Sequence, residues 1–168
     1  MKDFSADAEL ARKGDTEAFA RLYSEVYRDL YHIAFYSLRN SHDACDVVSD
    51  TVMDAFCTIG KLRDEKAFRS WIMRILSAKI KRRQREYFES PSDIDEAFTE
   101  SSDFDYVSLD VKEALENLDG ESRLMLSMSV LGGYTSEEIS EICTLKPSTV
   151  RSRLARIKKQ LRMSLSAD

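Results

Sequence analysis

The run YTSEEISEICTLKPSTVRSRLARIKKQLR, from Tyr134 to Arg162, leaves few folds open. Thr135 and Glu138 stand at capping-box spacing, so the threonine hydroxyl can take one free amide while the glutamate carboxylate reaches back to another. The spacing predicts a short helix from about Ser136. Ile139, Ile142 and Cys143 fall on one face, Thr144, Leu145 and Lys146 interrupt the pattern, and Pro147 suits the first turn of a second helix. In that helix Val150, Leu154, Ile157 and Leu161 recur at intervals of four, three and four, which makes one buried stripe. Two helices joined by so short a turn read as a helix-turn-helix.

Away from the stripe the second helix is polar and cationic. Lys146 to Arg162 holds seven basic residues and no acidic one, and the helix N-terminus adds partial positive charge and free amides. DNA is the ligand this arrangement suits. Ser148, Thr149, Arg151 and Ser152 occupy the first turns, where a recognition helix meets base edges, while Arg156, Lys158 and Lys159 lie further along toward the backbone. Arg153 suits either role. A solvated surface, a membrane-surface helix and a coiled-coil strand compete with this reading. Two heptads are too few for a coiled coil, and the stripe lacks the aromatics of an interfacial helix.

Charge divides the chain into three parts. Residues 1–88 carry 16 basic and 14 acidic side chains, residues 89–122 carry 1 and 12, and residues 123–168 carry 8 and 4. Two basic patches therefore flank an acidic middle. From Glu89 to Ser108 there are Pro91, several serines and no basic residue, the composition of a linker. The division predicts domains at 1–88 and 109–168 with an acidic linker at 89–108. Both domains are expected to be all-α, since no alternating strand-like run of useful length occurs.

In the first part, Gly14 closes a short leading helix. After Asp15, the residues Phe19, Leu22, Tyr23, Val26, Tyr27, Leu30 and Ile33 form an amphipathic stripe whose aromatics are assigned to the core. A second helix, from about Asp43 to Ile59, buries Val47, Val48, Thr51, Val52, Ala55, Phe56 and Ile59. It leaves Asp46, Asp50 and Asp54 stacked on the opposite face, where like charges four apart repel by a few tenths of a kcal/mol per pair. Such a face is either merely solvated or meets a basic partner, and Ser49 and Met53 lie among its carboxylates.

The third helical run is FRSWIMRILSAKIKRRQREYF, from Phe68 to Phe88, and Lys66 to Arg85 holds eight basic residues and no acidic one. It is a second nucleic-acid footprint. Phe68, Trp71, Ile72, Ile75 and Leu76 mark its buried side, with Arg69, Arg74, Lys79, Lys81, Arg82, Arg83 and Arg85 facing outward. The preceding polar loop, Gly60 to Lys66, can hold an unstacked base against the helix N-terminus.

Cys45, Cys57 and Cys143 show no metal-ligand spacing and are assigned as small buried or half-buried residues. The only histidines, His32 and His42, sit among helical core residues and at a helix start, so the clustered chemistry of a nuclease or other enzyme is absent from the pattern. No metal, cofactor or small-molecule substrate is expected. The N-terminal residues have no apolar signal core and no run is long enough to span a bilayer, which leads us to expect no membrane association and a reducing cytoplasm.

In this order the segments EAFARLYSEVYRDLYHIA, DVVSDTVMDAF and FRSWIMRIL, then the acidic linker and the helix-turn-helix, resemble the sigma factors of bacterial RNA polymerase. The similarity is to the two-domain extracytoplasmic-function type and covers nearly the whole chain. It implies a transcription initiation factor whose partners are core RNA polymerase and promoter DNA, with room for an anti-sigma protein. It implies that the helix bearing Asp46, Ser49, Asp50, Met53 and Asp54 docks on polymerase. The segment with Lys61, Arg63, Arg69, Arg74, Lys79, Lys81, Arg82 and Arg85 would bind and melt the minus-ten element. Lys146, Ser148, Thr149, Arg151, Ser152, Arg153 and Arg156 would read the minus-thirty-five element. Ser49 stands where the family usually has Gln, and Ala78 and Arg82 where Asn and Asp are common.

A stand-alone helix-turn-helix regulator would account for residues 108–162 but would leave the Asp46 face and the second basic helix without purpose. A degenerate sigma-like protein that binds polymerase without opening promoters is a third reading, suggested by the three departures. A linker of about 20 residues reaches at most ~70 Å and averages about 25 Å as a coil. Promoter elements one to two turns apart, at about 34 Å per turn, would lie near the top of that range. The free chain is thus expected to hold its domains poorly for simultaneous binding, and to bind promoter weakly.

Overall fold

Short polar residues set the helix boundaries. The computed structural model describes residues 2–89, 113 and 115–166, and these form seven α-helices with no strand among them. They are α1 (Ser5–Arg12), α2 (Thr16–Leu38), α3 (Ser41–Thr58), α4 (Phe68–Glu89), α5 (Gly120–Val130), α6 (Ser136–Cys143) and α7 (Pro147–Ser166). Apart from Glu89, the 89–108 linker lies outside the described residues.

Four helix starts carry side-chain caps, each relieving an orphan amide. Asp15 accepts from Ala18 N, Asn40 from Asp43 N, Asp119 from Ser122 N, and Thr135 from Glu138 N. Burial works to raise the Asp119 pKa, and the Ser122 amide and hydroxyl outweigh it, holding the carboxyl below its ordinary value. Chain reversal after α1 uses Gly14 at φ +99, a conformation open to glycine. Arg39 and Thr144 close α2 and α6 in the left-handed region, at φ 59 and 57.

α1 to α4 form a bundle in which α2 packs on α1, α3 and α4. Leu22, Leu30, Ile33, Phe68, Ile72, Leu76 and Ile80 are fully buried there. The segment between α3 and α4 is more ordered than a polar loop suggests. Two 3-10 turns, Ile59–Lys61 and Glu65–Ala67, bracket buried Leu62. The Asp64 side chain caps the second turn.

Several core assignments change. Tyr27 is 43% exposed and Tyr23 half-buried, because α2 faces its neighbours through the Leu22, Val26, Leu30 and Ile33 line and the tyrosine file runs along its edge. Phe56 is 50% exposed, with only a ring edge against Phe19 at 5.2 Å. Val52, Trp71 and Ile75 are half-buried. Cys45 and Cys57 are exposed, since α3 packs through Ala44, Val47, Val48, Thr51 and Ala55, while Cys143 is buried as expected.

The largest difference lies between the two units. α5 lies across α2, and α6 packs on α4, so residues of α5, α6 and α7 join one continuous core with those of α1 to α4. Leu124, Met125 and Met128 of α5 have no exposure. The linker's reach limits how far apart two domains can be, whereas the apolar faces of α2 and α5 decide where they rest.

Candidate nucleic-acid and polymerase interfaces

α6 and α7 build the helix-turn-helix that the spacing predicts. Thr135 N donates to Glu138 Oε2 at 2.7 Å and Glu138 N to Thr135 Oγ1 at 3.2 Å, so both halves of the capping box are present. Ile139, Ile142, Cys143, Val150, Leu154 and Ile157 are buried and Leu161 half-buried. This leaves Lys146, Ser148, Arg151, Ser152 and Arg156 exposed along one surface, with Thr149 half-buried beside them. Arg151 Nη1 donates to Glu137 Oε1 at 2.7 Å, which holds its guanidinium across the two helices. Arg153 instead turns back and is ion-paired with Glu121 of α5.

Thr144 makes the turn between the helices, its N–H donating to Ser140 O. A β-branched residue in the left-handed region carries steric strain of the order of 1 kcal/mol, which glycine would relieve. Thr144→Gly is therefore expected to raise stability by about 0.5 kcal/mol at most, once glycine's extra unfolded-state entropy is counted. A thermal melt checks this, and a lowered midpoint would refute it.

On α3 the five predicted polymerase-facing residues, Asp46, Ser49, Asp50, Met53 and Asp54, are all exposed. Asp54 is paired with Lys79 at 2.6 Å, and Asp50 lines a polar groove with Lys79, Arg82 and Arg83. Met53 is 66% exposed and adjoins Phe56 one turn on. The face is thus mixed apolar and acidic, and the helical spacing of Met53, Phe56 and Cys57 was the signal for it.

α4 divides its cations. Arg74, Arg82 and Arg85 are exposed, as are Lys61 and Arg63 before it, whereas Arg69, Lys79 and Lys81 are half-buried. Arg83 Nη1 bonds Asp43 Oδ1 at 2.9 Å, and the Tyr87 hydroxyl donates to the same carboxylate. Burial first, then that hydrogen bond, push the Tyr87 pKa up. Arg69 and Lys81 point to the helix-turn-helix unit: the Arg69 guanidinium is 3.9 Å from the Tyr134 ring centroid and donates to Gly132 O, and Lys81 Nζ is 3.4 Å from Cys143 O. The structure thus leaves Asp46, Ser49, Asp50, Met53 and Asp54 exposed on α3, Arg74, Arg82 and Arg85 on α4, and Arg151, Ser152 and Arg156 on α7, while Arg69, Lys81 and Arg153 are engaged by other parts of the chain.

Among the described residues an all-helical fold with a capped helix-turn-helix and a second basic helix has the make-up of a DNA-binding protein. Residues 22–87 match the family described as Sigma-70 region 2, and residues 108–161 match Sigma-70, region 4. RNA polymerase sigma factor SigV of Bacillus subtilis is 26% identical over 144 residues, covering 84% of this chain and 87% of that protein. ECF RNA polymerase sigma factor SigM of Mycobacterium tuberculosis is 28% identical over 162 residues, covering 93% and 83%. The fold resembles the sigma factor RpoE in complex with the anti-sigma factor NepR from Bartonella quintana, at TM-score 0.76 and 24% identity over 91% of this chain and 99% of that one. It also resembles CnrH in complex with the cytosolic domain of CnrY, at TM-score 0.75 and 22% identity over 99% of both chains. The chain belongs to the sigma-70 family, in its extracytoplasmic-function branch, and is a promoter-directing transcription initiation factor. No helix among the described residues is long and apolar enough to cross a membrane.

Proposed function

We infer that three surfaces divide the work of initiation. α3 docks on core RNA polymerase through Asp46, Ser49, Asp50, Met53 and Asp54. The Lys61–Arg85 segment engages and opens the minus-ten element, and α7 reads the minus-thirty-five element through Lys146 and the residues from Ser148 to Arg156. In this division residues 1–88 and 109–168 act as separate promoter-binding units joined by 89–108. The observation that carries it is the exposed row Lys146, Ser148, Arg151, Ser152 and Arg156, set opposite the buried Val150, Leu154 and Ile157 of α7. Such a row fits the width of a major groove and offers both base-edge donors and phosphate partners.

Protein partners held by the two solved relatives suggest the form of control. A protein of that class is the restraint we assign to this chain.

The deciding experiment is in vitro transcription with sigma-free core polymerase on a genomic fragment library, read by 5′-end sequencing. Specific starts sharing two upstream elements at fixed spacing are expected. Polymerase binding without starts would instead support the degenerate reading raised by Ser49, Ala78 and Arg82. Loss of both would move the function to a separate DNA-binding regulator.

A further inference from the structure

Between the end of α2, α5 and the second half of α7 lies a cavity of about 320 Å³ that the promoter and polymerase surfaces do not use. Its walls are apolar, with Tyr36 and Leu126 buried and Leu161 half-buried. Val130, 63% exposed, and Leu131, 37% exposed, carry the same apolar surface out to solvent. A cleft of this size, apolar inside and with few polar groups, is the usual form of a small-ligand site.

Two cations mark the mouth. Lys158 and Arg162 line the same cavity and both are exposed. Earlier on α7, Arg151 and Arg153 are paired with Glu137 and Glu121, whereas Lys158 and Arg162 form no ion pair among the described residues. They stand four residues apart, where like charges on a helix repel, and an anion between them turns that repulsion into attraction to both. A tail that suits the apolar walls and a negative head at the mouth describe a single-chain carboxylate. At about 30 Å³ for each water-sized group, the space holds roughly ten such groups, which matches one chain of about that many carbons and leaves no room for the second chain of a membrane lipid. We propose that this cavity binds a free medium-chain carboxylate, its tail against Tyr36, Leu126 and Leu161 and its head at Lys158 and Arg162. None of these residues is among those assigned to polymerase or to the two promoter elements, so the site does not depend on that division of labour.

Calorimetric titration of the full chain with decanoate, below its micelle concentration, is expected to show one saturable site with a Kd of the order of 100 µM. Decyltrimethylammonium, the same tail with a positive head, is expected to bind about tenfold more weakly or worse, the scale of two exposed ion pairs turned repulsive. High salt should narrow that gap, since the cations face solvent. Lys158→Gln with Arg162→Gln, both at exposed positions, should weaken decanoate about fivefold and bring the two ligands together. Chain length reads the cavity itself. The step from octanoate to decanoate should tighten binding about tenfold, the worth of two buried methylenes, and the step from dodecanoate to tetradecanoate should add little once the space is full. No saturable binding up to about 1 mM decanoate, equal affinity for the two head groups in the wild-type chain, or decanoate binding unchanged by loss of both cations overturns the site. Affinity that keeps rising with chain length overturns the enclosed tail. Capture by vesicles of anionic lipid without binding of free decanoate would give this face to a membrane, and a dimer in sedimentation velocity that decanoate disperses would give it to a second copy of the chain. Either result overturns the proposal.

Discussion

Asp46→Lys with Met53→Lys is expected to lower affinity for core RNA polymerase by roughly a hundredfold while leaving the fold at least as stable. Both side chains are exposed on α3, with Met53 at 66%, so neither change opens a cavity. Within the helix both new lysines face Asp50, at four- and three-residue spacing, turning the repulsive Asp46–Asp50 pair into an attractive one and adding a second, each worth a few tenths of a kcal/mol. At the interface the signs reverse. An exposed methionine ringed by carboxylates has the composition of a docking centre, and a like-charge juxtaposition with a basic partner costs several kcal/mol. Anisotropy titration of labelled chain with core polymerase reads the first effect and urea unfolding the second. Affinity within twofold of wild type, with stability intact, would remove α3 from the polymerase-binding role.

That pairing of effects arises because α3 has two faces encoded differently. Its buried side follows periodicity, and Val47, Val48, Thr51 and Ala55 are where the pattern predicts. Phe56 is not, because the pattern ranks a phenylalanine as core on hydrophobicity alone, while the radius of the bundle lets only its ring edge reach Phe19. Tyr27 and the two exposed cysteines fail for the same reason: a helix edge and a helix face look alike in a linear count. Boundaries were more legible where chemistry is local. The Thr135–Glu138 box and Pro147 fix the helix-turn-helix to the residue, since caps and proline act within one turn.

Contacts between the units were invisible to such reasoning. Gln84 reaching Gly120, and Arg69 reaching Tyr134, join positions 36 and 65 residues apart through single side chains that belong to no repeat. Charge counting had marked Arg69 and Lys81 as DNA-facing, and it cannot tell a cation that awaits phosphate from one already over a tyrosine ring. The seven basic residues between Lys146 and Arg162 show the same ambiguity resolved residue by residue: Arg156 stays exposed while Arg153 pairs with Glu121. Composition locates a basic helix, and the packing around it assigns each charge.

Phe68→Ala is expected to cost about 3–5 kcal/mol, the range for emptying a buried phenylalanine site. The side chain has no exposure and is the first residue of α4, immediately after the 3-10 turn Glu65–Ala67. Its ring centroid lies 5.9 Å from that of Phe4 and 6.1 Å from that of Trp71, so its loss unpins the N-terminal arm and the start of α4 together. Against a total stability of about 5–15 kcal/mol, this is a large share. For a chain of this length the melting midpoint should fall by roughly 10 °C. No candidate DNA or polymerase contact is removed, so affinity measured well below the new midpoint should stay within a few-fold of wild type and vanish on warming. A fall below 1 kcal/mol would mean that the Phe4 and Trp71 rings collapse into the vacated space, and α4 would then owe its position to Ile72, Leu76 and Ile80 instead.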